Sequence, residues 1–564
     1  MSRARVIFMV AVAIILNALS ASAETLEPLA NKLKTTVEEV VSSDFAQLQT
    51  ISWGGEYGMV YANGNSLTTT PGSIFNRYGL KFKIVLQDDP VKQLEDYLSG
   101  RTYLFRGTLD MVNMMAEAAQ DPAVKPVVFA LLTRSTGGDA VVVSSGINTV
   151  ADFKGKKVAL QSYGPHLYYL WTLLKSANLT LKDITIVWTK NLYGDDSPTT
   201  ALQSKRADVA FVIYPDALDL TAPCTGKCPE KSVKGARILL TTKTASNVIF
   251  DVYAVRSDYF NLNREKVYSI AKGIMQAQDE LDSFMQNKSD PRRKVAIQAF
   301  AQVILGSKEA SATAEGMYSD CTFARLAGNE KFFADRGNPR NFETVTAEIQ
   351  TALKEYGLLK GKVDLASAGW NYNDFKSQGL VAVAEAPRFD EQKVAAVVTQ
   401  RAAQGTLSEG QIFPLHSIHF QPNQTSFESG LYQGAYDQVI SDISKMGGAV
   451  IVVEGHADPL GYLKSKKSGV PEVVSGQIRQ TGKNVSYQRA VQVRQAIIAY
   501  ALSKRISLDQ SQFTIVGHGI EMPKSGMCGA DPCAPKDKQA WLDNMRVDFR
   551  IVQVEAESVE FEKL

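Results

Sequence analysis

The stretch KFKIVLQDDPVKQLEDYLSG (81–100) holds the pattern from which the N-terminal half of the chain is read. Its first part, KFKIVLQ (81–87), is a short apolar run that reads as a strand. PVKQLEDYLSG (90–100) then reads as an amphipathic helix. Working outward, further strand-like runs follow at VKPVVFALLT (124–133), KKVALQS (156–162), ITIVWTK (184–190), ADVAFVIY (207–214) and NVIFDVYAV (247–255). Helical segments such as HLYYLWTLLKSANL (166–179) and SPTTALQSKRA (197–207) lie between them. Strand–helix alternation of this kind predicts an α/β fold with a parallel-type sheet and ligands at its carboxyl edge. From about 263 to 359 the chain turns mainly helical, with AEIQTALKEYGLL (347–359) the clearest amphipathic repeat. Residues 386–412 read as a partly helical connector, 413–555 as a second compact region and 556–564 as an acidic tail.

The 564 residues exceed what one core usually holds, in keeping with this division. Hydrophobic residues at 45% and charged residues at 21% fit globular material. Lys plus Arg number 61 and Asp plus Glu 59, too small a surplus for nucleic acid to be the main partner. Arg3 and Arg5 account for all of it, so residues 24–564 carry 59 of each sign. Those two arginines precede an apolar run from Val6 to Leu19, and Ala21-Ser22-Ala23 then offers small residues for cleavage before Glu24. Residues 1–23 therefore read as an export signal, too short for a membrane anchor, and no later stretch is apolar enough to span a bilayer. A periplasmic location follows. Two close cysteine pairs, Cys224 with Cys228 and Cys528 with Cys533, sit in Pro/Gly-rich loops and read as disulfides. Cys321 stands alone and reads as a buried thiol.

The stretch 135–188, with TVADFKGKKV (149–158), Gly164-Pro165 and ADVAF (207–211), resembles periplasmic solute-binding proteins of the nitrate/sulfonate/taurine type. The resemblance covers about 24–385 and implies two α/β lobes closing over a small molecule, with Tyr214-Pro215-Asp216 in the second lobe's ligand loop. The residues themselves agree with a small-ligand cleft. Ser162 and Tyr163 lead into one helix, and Ser197-Pro198 caps another, so two positive helix ends face the sheet edge and favour an anionic solute. Trp53, Glu56 and Tyr57 offer an aromatic wall and a carboxylate, while Thr136 and Asp139 add a hydroxyl and an acid. Glu56, Asp139, Asp216 and Asp251 would instead suit an amine. No catalytic, P-loop or dinucleotide motif is present, Asp195-Asp196 reads as a turn, and the chain is expected not to be an enzyme and to need no cofactor.

The C-terminal order strand, helix, strand, helix, strand, strand carries IHFQPNQTSF, VIVVEGHADPLG, NVSYQRAVQVRQAIIAYALSKRI, FTIVGHGIEMP and NMRVDFRIV. These pieces resemble the OmpA-like peptidoglycan-binding domain. The resemblance implies that Asp458 grips the ammonium, and Arg489 the carboxylate, of diaminopimelate in the wall's stem peptide, with Arg546 in support. Two departures stand out. KSKKSGVPEVVSGQIRQTGK (464–483) reads as a lengthened loop, and the family's asparagine falls on Gly482, with Asn484 nearby as a substitute. His416 and His419, three apart on a strand, point to opposite faces, and His456 and His518 read as bonded to backbone; no metal site is expected. The sequence thus describes an exported, wall-tethered solute-binding protein, with an ABC-type permease as a possible partner. A receptor whose wall binding is incidental, a wall-associated enzyme and a ligand-free scaffold are the alternatives.

Overall fold

In a computed structural model the described residues are 26–119, 121–224, 228–383, 389–407, 416–422, 424–529 and 531–552. The expected export signal and acidic tail lie outside them, as does part of the connector. Among the described residues, no helix is long and apolar enough to cross a membrane.

The first lobe opens with β1 (Ala46–Thr50) paired in parallel with β2 (Phe82–Leu86), followed by β3 (Leu104–Thr108) and β4 (Pro126–Ser135). The chain then crosses at Thr136-Gly137-Gly138 into the second lobe. There β5 (Asp139–Val143), β6 (Lys157–Gln161), β7 (Thr185–Thr189), β8 (Val209–Ile213) and β9 (Arg237–Thr241) form one sheet in the order β7-β6-β8-β5-β9. A second crossover, 242–249, returns it to the first lobe at β10 (Phe250–Arg256). Strand β11 (Cys321–Phe323) and the short β12 (Ala366–Ser367) complete the sheet β11-β4-β10-β3, with β12 against β4.

Neither five-stranded sheet is parallel throughout, as the alternation predicted. β10 runs antiparallel to β3 and β4, and β5 antiparallel to β8 and β9; only β6 with β7 and β8, and β12 with β4, are parallel within these two sheets. The two crossovers are the reason. A chain that leaves one lobe for the other and returns must insert strands of opposite sense, which apolar periodicity does not reveal. Both β5 and β10 are buried along their whole length, as interior strands. The predicted helical region holds, led by Arg264–Met285, whose Val267, Ile270, Ala271, Ile274 and Leu281 form one buried stripe.

Strands β13 (His416–His419) and β14 (Val450–Gly455) begin the C-terminal sheet, followed by β15 (Phe513–Gly517). A small ladder of β16 (Met527–Cys528) with β17 (Asp531–Pro532) precedes β18 (Arg546–Val552), and the sheet order is β13-β18-β14-β15. Alternation sorts β14 between two layers. Ile451 and Val453 meet Ile440, Val493 and Ile497 of helices Gln433–Lys445 and Glu472–Ser503, while Val450 and Val452 meet Val394 and Val398 of helix Glu391–Gln404. The connector helix is thus a layer of the C-terminal domain. The stretch 464–483 is not a lengthened loop: it continues helix Leu460–Lys467 and then supplies the first turns of Glu472–Ser503. Disulfides join Cys224 to Cys228 and Cys528 to Cys533.

The C-terminal domain docks on the second crossover. Gly448 N–H donates to Thr244 O at 3.0 Å, Asn247 N–H to Lys445 O at 3.2 Å, and Asn247 Nδ2 to Ser444 O at 2.9 Å. Ser176 Oγ, at the end of the second lobe's helix Leu167–Ser176, donates to Asp442 Oδ1 at 2.8 Å.

Gly455 is where sheet and helix come closest, since a Cβ there would stand 1.8 Å from Ser486 O. Gly455→Ala should therefore push helix Glu472–Ser503 off β14 and cost roughly 1–3 kcal/mol, as overpacking does. Urea denaturation reads this as a lower midpoint; an unchanged midpoint contradicts the packing.

Candidate functional site

The space between the lobes is a cleft of about 1040 Å³. Its floor forms where the crossovers meet. Thr242 Oγ1 accepts the N–H groups of Gly137 and Asp139, each at 3.1 Å, and lies 2.8 Å from Ser135 Oγ, so one hydroxyl binds both crossovers. Asp139 opens β5 and faces the cleft, its Oδ1 at 2.7 Å from His166 Nε2 and its Oδ2 accepting from Ser135 Oγ at 2.6 Å. Asp251 on β10 also lines it, with Oδ2 accepting from Thr133 Oγ1 at 2.8 Å and Oδ1 from Arg106 Nη1 at 2.9 Å. Arg106 is wholly buried and turns its Nε to Glu56 Oε1 at 2.6 Å. Burial pushes the Glu56 carboxyl up to about 7 against the pull of Arg106, and pushes Asp320, near Asp139, up to about 6.

Five of the expected residues reach the cleft wall: Trp53, Asp139, Ser162, Tyr163 and Asp251. Trp53 Nε1 donates to Thr133 Oγ1 at 3.2 Å, and its ring fills the space a Cβ on Gly138 would take, 2.1 Å away. Tyr163 Oη donates to Glu27 O at 2.7 Å. The others do not line it. Glu56 lies beneath, on Arg106. Tyr57, one helical step further, turns into the first lobe's core, stacked at 3.9 Å on Phe300 and donating to Ala314 O. Thr136 pairs with Thr322 Oγ1 at 3.0 Å, and Tyr214 gives its N–H to Gly138 O. Ser197 caps helix Pro198–Gln203 as expected and is fully buried there, while Asp216 accepts from Thr199 Oγ1 at 2.7 Å.

Both helix ends read as anion sites are answered from within. Asp110, on the first lobe, takes the backbone N–H of Tyr168 in the first turn of Leu167–Ser176, with burial lifting its carboxyl to about 6. At the six-residue second helix Ser197 Oγ accepts Thr200 N–H at 3.3 Å, while Asp216 takes the side-chain hydroxyl of Thr199. Sequence reasoning missed Arg106, Trp188, Tyr193 and Asp88. Tyr193 Oη reaches across the mouth to Asp88 Oδ2 at 2.7 Å, and Asp88 also receives Ser52 N–H and Oγ. Arg106 had a signal: an arginine within the otherwise uncharged run Tyr103-Leu104-Phe105-Arg106-Gly107 is a buried charge in need of partners.

In the C-terminal domain, Asp458 follows β14 and Arg489 lies on helix Glu472–Ser503. Arg489 is 2% exposed, and its guanidinium donates to Gln424 O at 2.8 Å, His456 O at 3.0 Å and Gln421 O at 3.4 Å, over the Phe420 ring. Burial lowers it to about 10, and the Asp458 charge pulls it back up. Asp458 is half-buried, its Oδ1 accepting Leu460 N–H at 2.9 Å and Trp541 Nε1 at 3.0 Å. Arg546 gives Nε to Asp548 Oδ2 at 2.8 Å, while its buried Nη1 has no hydrogen-bond partner. Asn484 is exposed and accepts from Gln480, five residues before Arg489 and so roughly 140° round the helix from it.

His456 and His518, expected to bond backbone, instead meet carboxylates. Their rings stack at 5.1 Å, with His518 Nε2 at 3.0 Å from Glu454 and His456 Nε2 at 3.4 Å from Asp548. Glu454, His456 and His518 bring ligand-type atoms within 4.8 Å of one another. Arg550 Nε already occupies Glu454 Oε2 at 2.8 Å, and Arg546 stands beside Asp548, so the acids are balanced by guanidinium groups and the cluster does not suit a dication.

Residues 74–281 match the family model described as NMT1/THI5 like. That span runs from the first lobe across both crossovers to helix Arg264–Met285. No curated protein matches the chain. Among solved structures, the alkanesulfonate-binding protein SsuA from Xanthomonas axonopodis pv. citri, bound to MOPS, is 18% identical, with 57% of this chain and 97% of that one covered at a TM-score of 0.40. The periplasmic aliphatic sulphonate-binding protein SsuA from Escherichia coli is 20% identical (57% and 91% covered, TM-score 0.41). The periplasmic nitrate-binding protein NrtA from Synechocystis PCC 6803 is 13% identical (60% and 89%, TM-score 0.40).

The raised Glu56 carboxyl sets a pH dependence. A carboxyl held above its ordinary 4.5 keeps its proton in the folded chain, so its contribution is present below that value and lost as pH rises through about 7. Glu56→Gln has no proton to lose. Its unfolding midpoint relative to the parent should therefore rise between pH 4.5 and 8, and a constant difference across that range contradicts the assignment.

Proposed function

We propose that the chain captures a small polar solute between its two lobes and is held at the cell wall by its C-terminal domain, in the periplasm. The observation that carries the capture reading is the cleft itself: two lobes joined by two crossovers, with polar groups of both lobes converging on one concave space. The family match over 74–281 supports it, since it spans the segments that build that space. A membrane permease of the ABC type is the partner such a module would serve. In this reading the chain performs no chemistry on the solute.

The wall reading rests on Arg489 and Asp458. A guanidinium 2% exposed, bonded to carbonyls and not to a carboxylate, keeps an uncancelled charge, and Arg546 on β18 has a donor without a partner. Asp458 supplies the opposite charge nearby. A zwitterionic amino-acid end, as in diaminopimelate of a stem peptide, answers both. Charge-assisted contacts contribute roughly 1.5–3 kcal/mol each, so losing one should weaken binding roughly ten- to a hundred-fold.

Cosedimentation with purified sacculi tests this. The parent chain should pellet, while Asp458→Ala and Arg489→Ala should remain in the supernatant at the same protein concentration. Asp458 is half-exposed, so its variant separates binding from folding should Arg489→Ala unfold. Pelleting of a folded Asp458→Ala variant equal to the parent's would end the wall reading.

A further inference from the structure

The cleft's charge points to the sign of its ligand. Six carboxylates line it against three lysines, with no arginine or histidine among the described lining residues. One layer below, Arg106 is shared by two acids, Glu56 and Asp251, and Asp139 Oδ1 lies 2.7 Å from Nε2 of the His166 imidazole. Two carboxylates therefore share one guanidinium, and a third faces an imidazole. The wholly buried Glu56 Oε2 and Arg106 Nη2 both lack a hydrogen-bond partner, so the layer beneath the cleft keeps one acceptor and one donor unfilled. Of the three lysines, Lys32 already faces Glu27 at 3.6 Å.

The positive features that would hold an anion are already committed. The N–H of Tyr168, at the start of the longer helix, goes to Asp110, and at the shorter helix Ser197 Oγ takes the N–H of Thr200 at 3.3 Å. A sulfonate or nitrate entering here would meet Asp139 and Asp251 on a wall that no arginine lines, since Arg106, with its Nη2 unpaired, is wholly buried beneath them. The walls are also of the wrong kind for an anion and the right kind for a cation. Trp53, Tyr163, Trp188 and Tyr193 line the space, and ring faces attract positive charge. Each carboxylate oxygen has two lone pairs, so Asp139 and Asp251 can accept from a ligand while keeping their present partners.

We infer that the solute is a small organic cation, a protonated amine whose N–H groups are taken by Asp139 and Asp251 and whose carbon body lies against Trp53 and Trp188. This rests on the capture reading above and replaces the anionic solute that the two helix ends suggested. Arg106 then sets depth: it holds Asp251 in place, opposes the upward push of burial on that carboxyl, and closes the floor to a second cation.

Thermal unfolding of the exported chain, residues 24–564, with tyramine, putrescine and ethanolamine on one side and methanesulfonate and nitrate on the other, tests the sign. At least one amine should raise Tm by several degrees in a saturable way, and neither anion should. Asp139→Asn and Trp188→Leu should each weaken that amine's binding at least tenfold by calorimetry. Trp188 lies on the cleft wall away from the buried acids, so it remains informative if the Asp139 variant is unstable. Saturable stabilisation by an anion with none by any amine overturns the cation inference and leaves solute capture standing. Stabilisation by neither series overturns both.

Discussion

The first lobe is organised around a charge that cannot be left alone. Arg106 is fully buried on β3, and a guanidinium removed from water requires answering groups. They come from the turn after β1, through Glu56, and from β10, through Asp251, which Thr133 of β4 holds in turn. Removing either acid would leave buried positive charge half compensated, a loss of roughly 3–5 kcal/mol for a buried pair. The same cluster fixes Trp53 through Thr133, and Trp53 lies against Gly138 where the chain leaves for the second lobe. Core, floor and crossover thus share one electrostatic requirement.

What could be read from the sequence followed how local the cause was. Strands such as KFKIVLQ and NVIFDVYAV and the helix at 264–285 appear as apolar runs because burial acts on each residue in place. Strand direction does not, since it depends on where the chain goes next. Trp53, Asp139, Ser162 and Tyr163 were legible because they sit beside glycines or caps at strand ends. Arg106 was not, because its partners lie 50 and 145 positions away. Tyr57 shows how narrow the margin is: it adjoins Glu56 in sequence, yet the helical turn starting there aims it into the core.

The stretch 464–483 misled through composition. Its lysines and glycines suggest a loop, but a helix exposed on most sides needs no apolar stripe, and packing of its continuation around Ala490, Val493 and Ile497 extends it backward. The histidines were misjudged for a related reason. Gly-His at a strand end says nothing of the facing strand, where β18 presents Asp548 and β14 presents Glu454 to one buried space. Burial then holds His456 below the usual imidazole range, beside acids already answered by Arg546 and Arg550.

The seat of the C-terminal domain has a mechanical consequence. Ser444, Lys445 and Gly448 bond to Thr244 and Asn247, which belong to one of the two segments of chain that join the lobes. Gly447 comes so near that an added Cβ would stand 2.5 Å from Asn247 Nδ2. Rotation of one lobe against the other would shear these contacts, and a pull on the C-terminal domain is delivered to the pivot rather than to a slack leash. A load applied to the C-terminal domain therefore enters the binding module at the joint between its lobes.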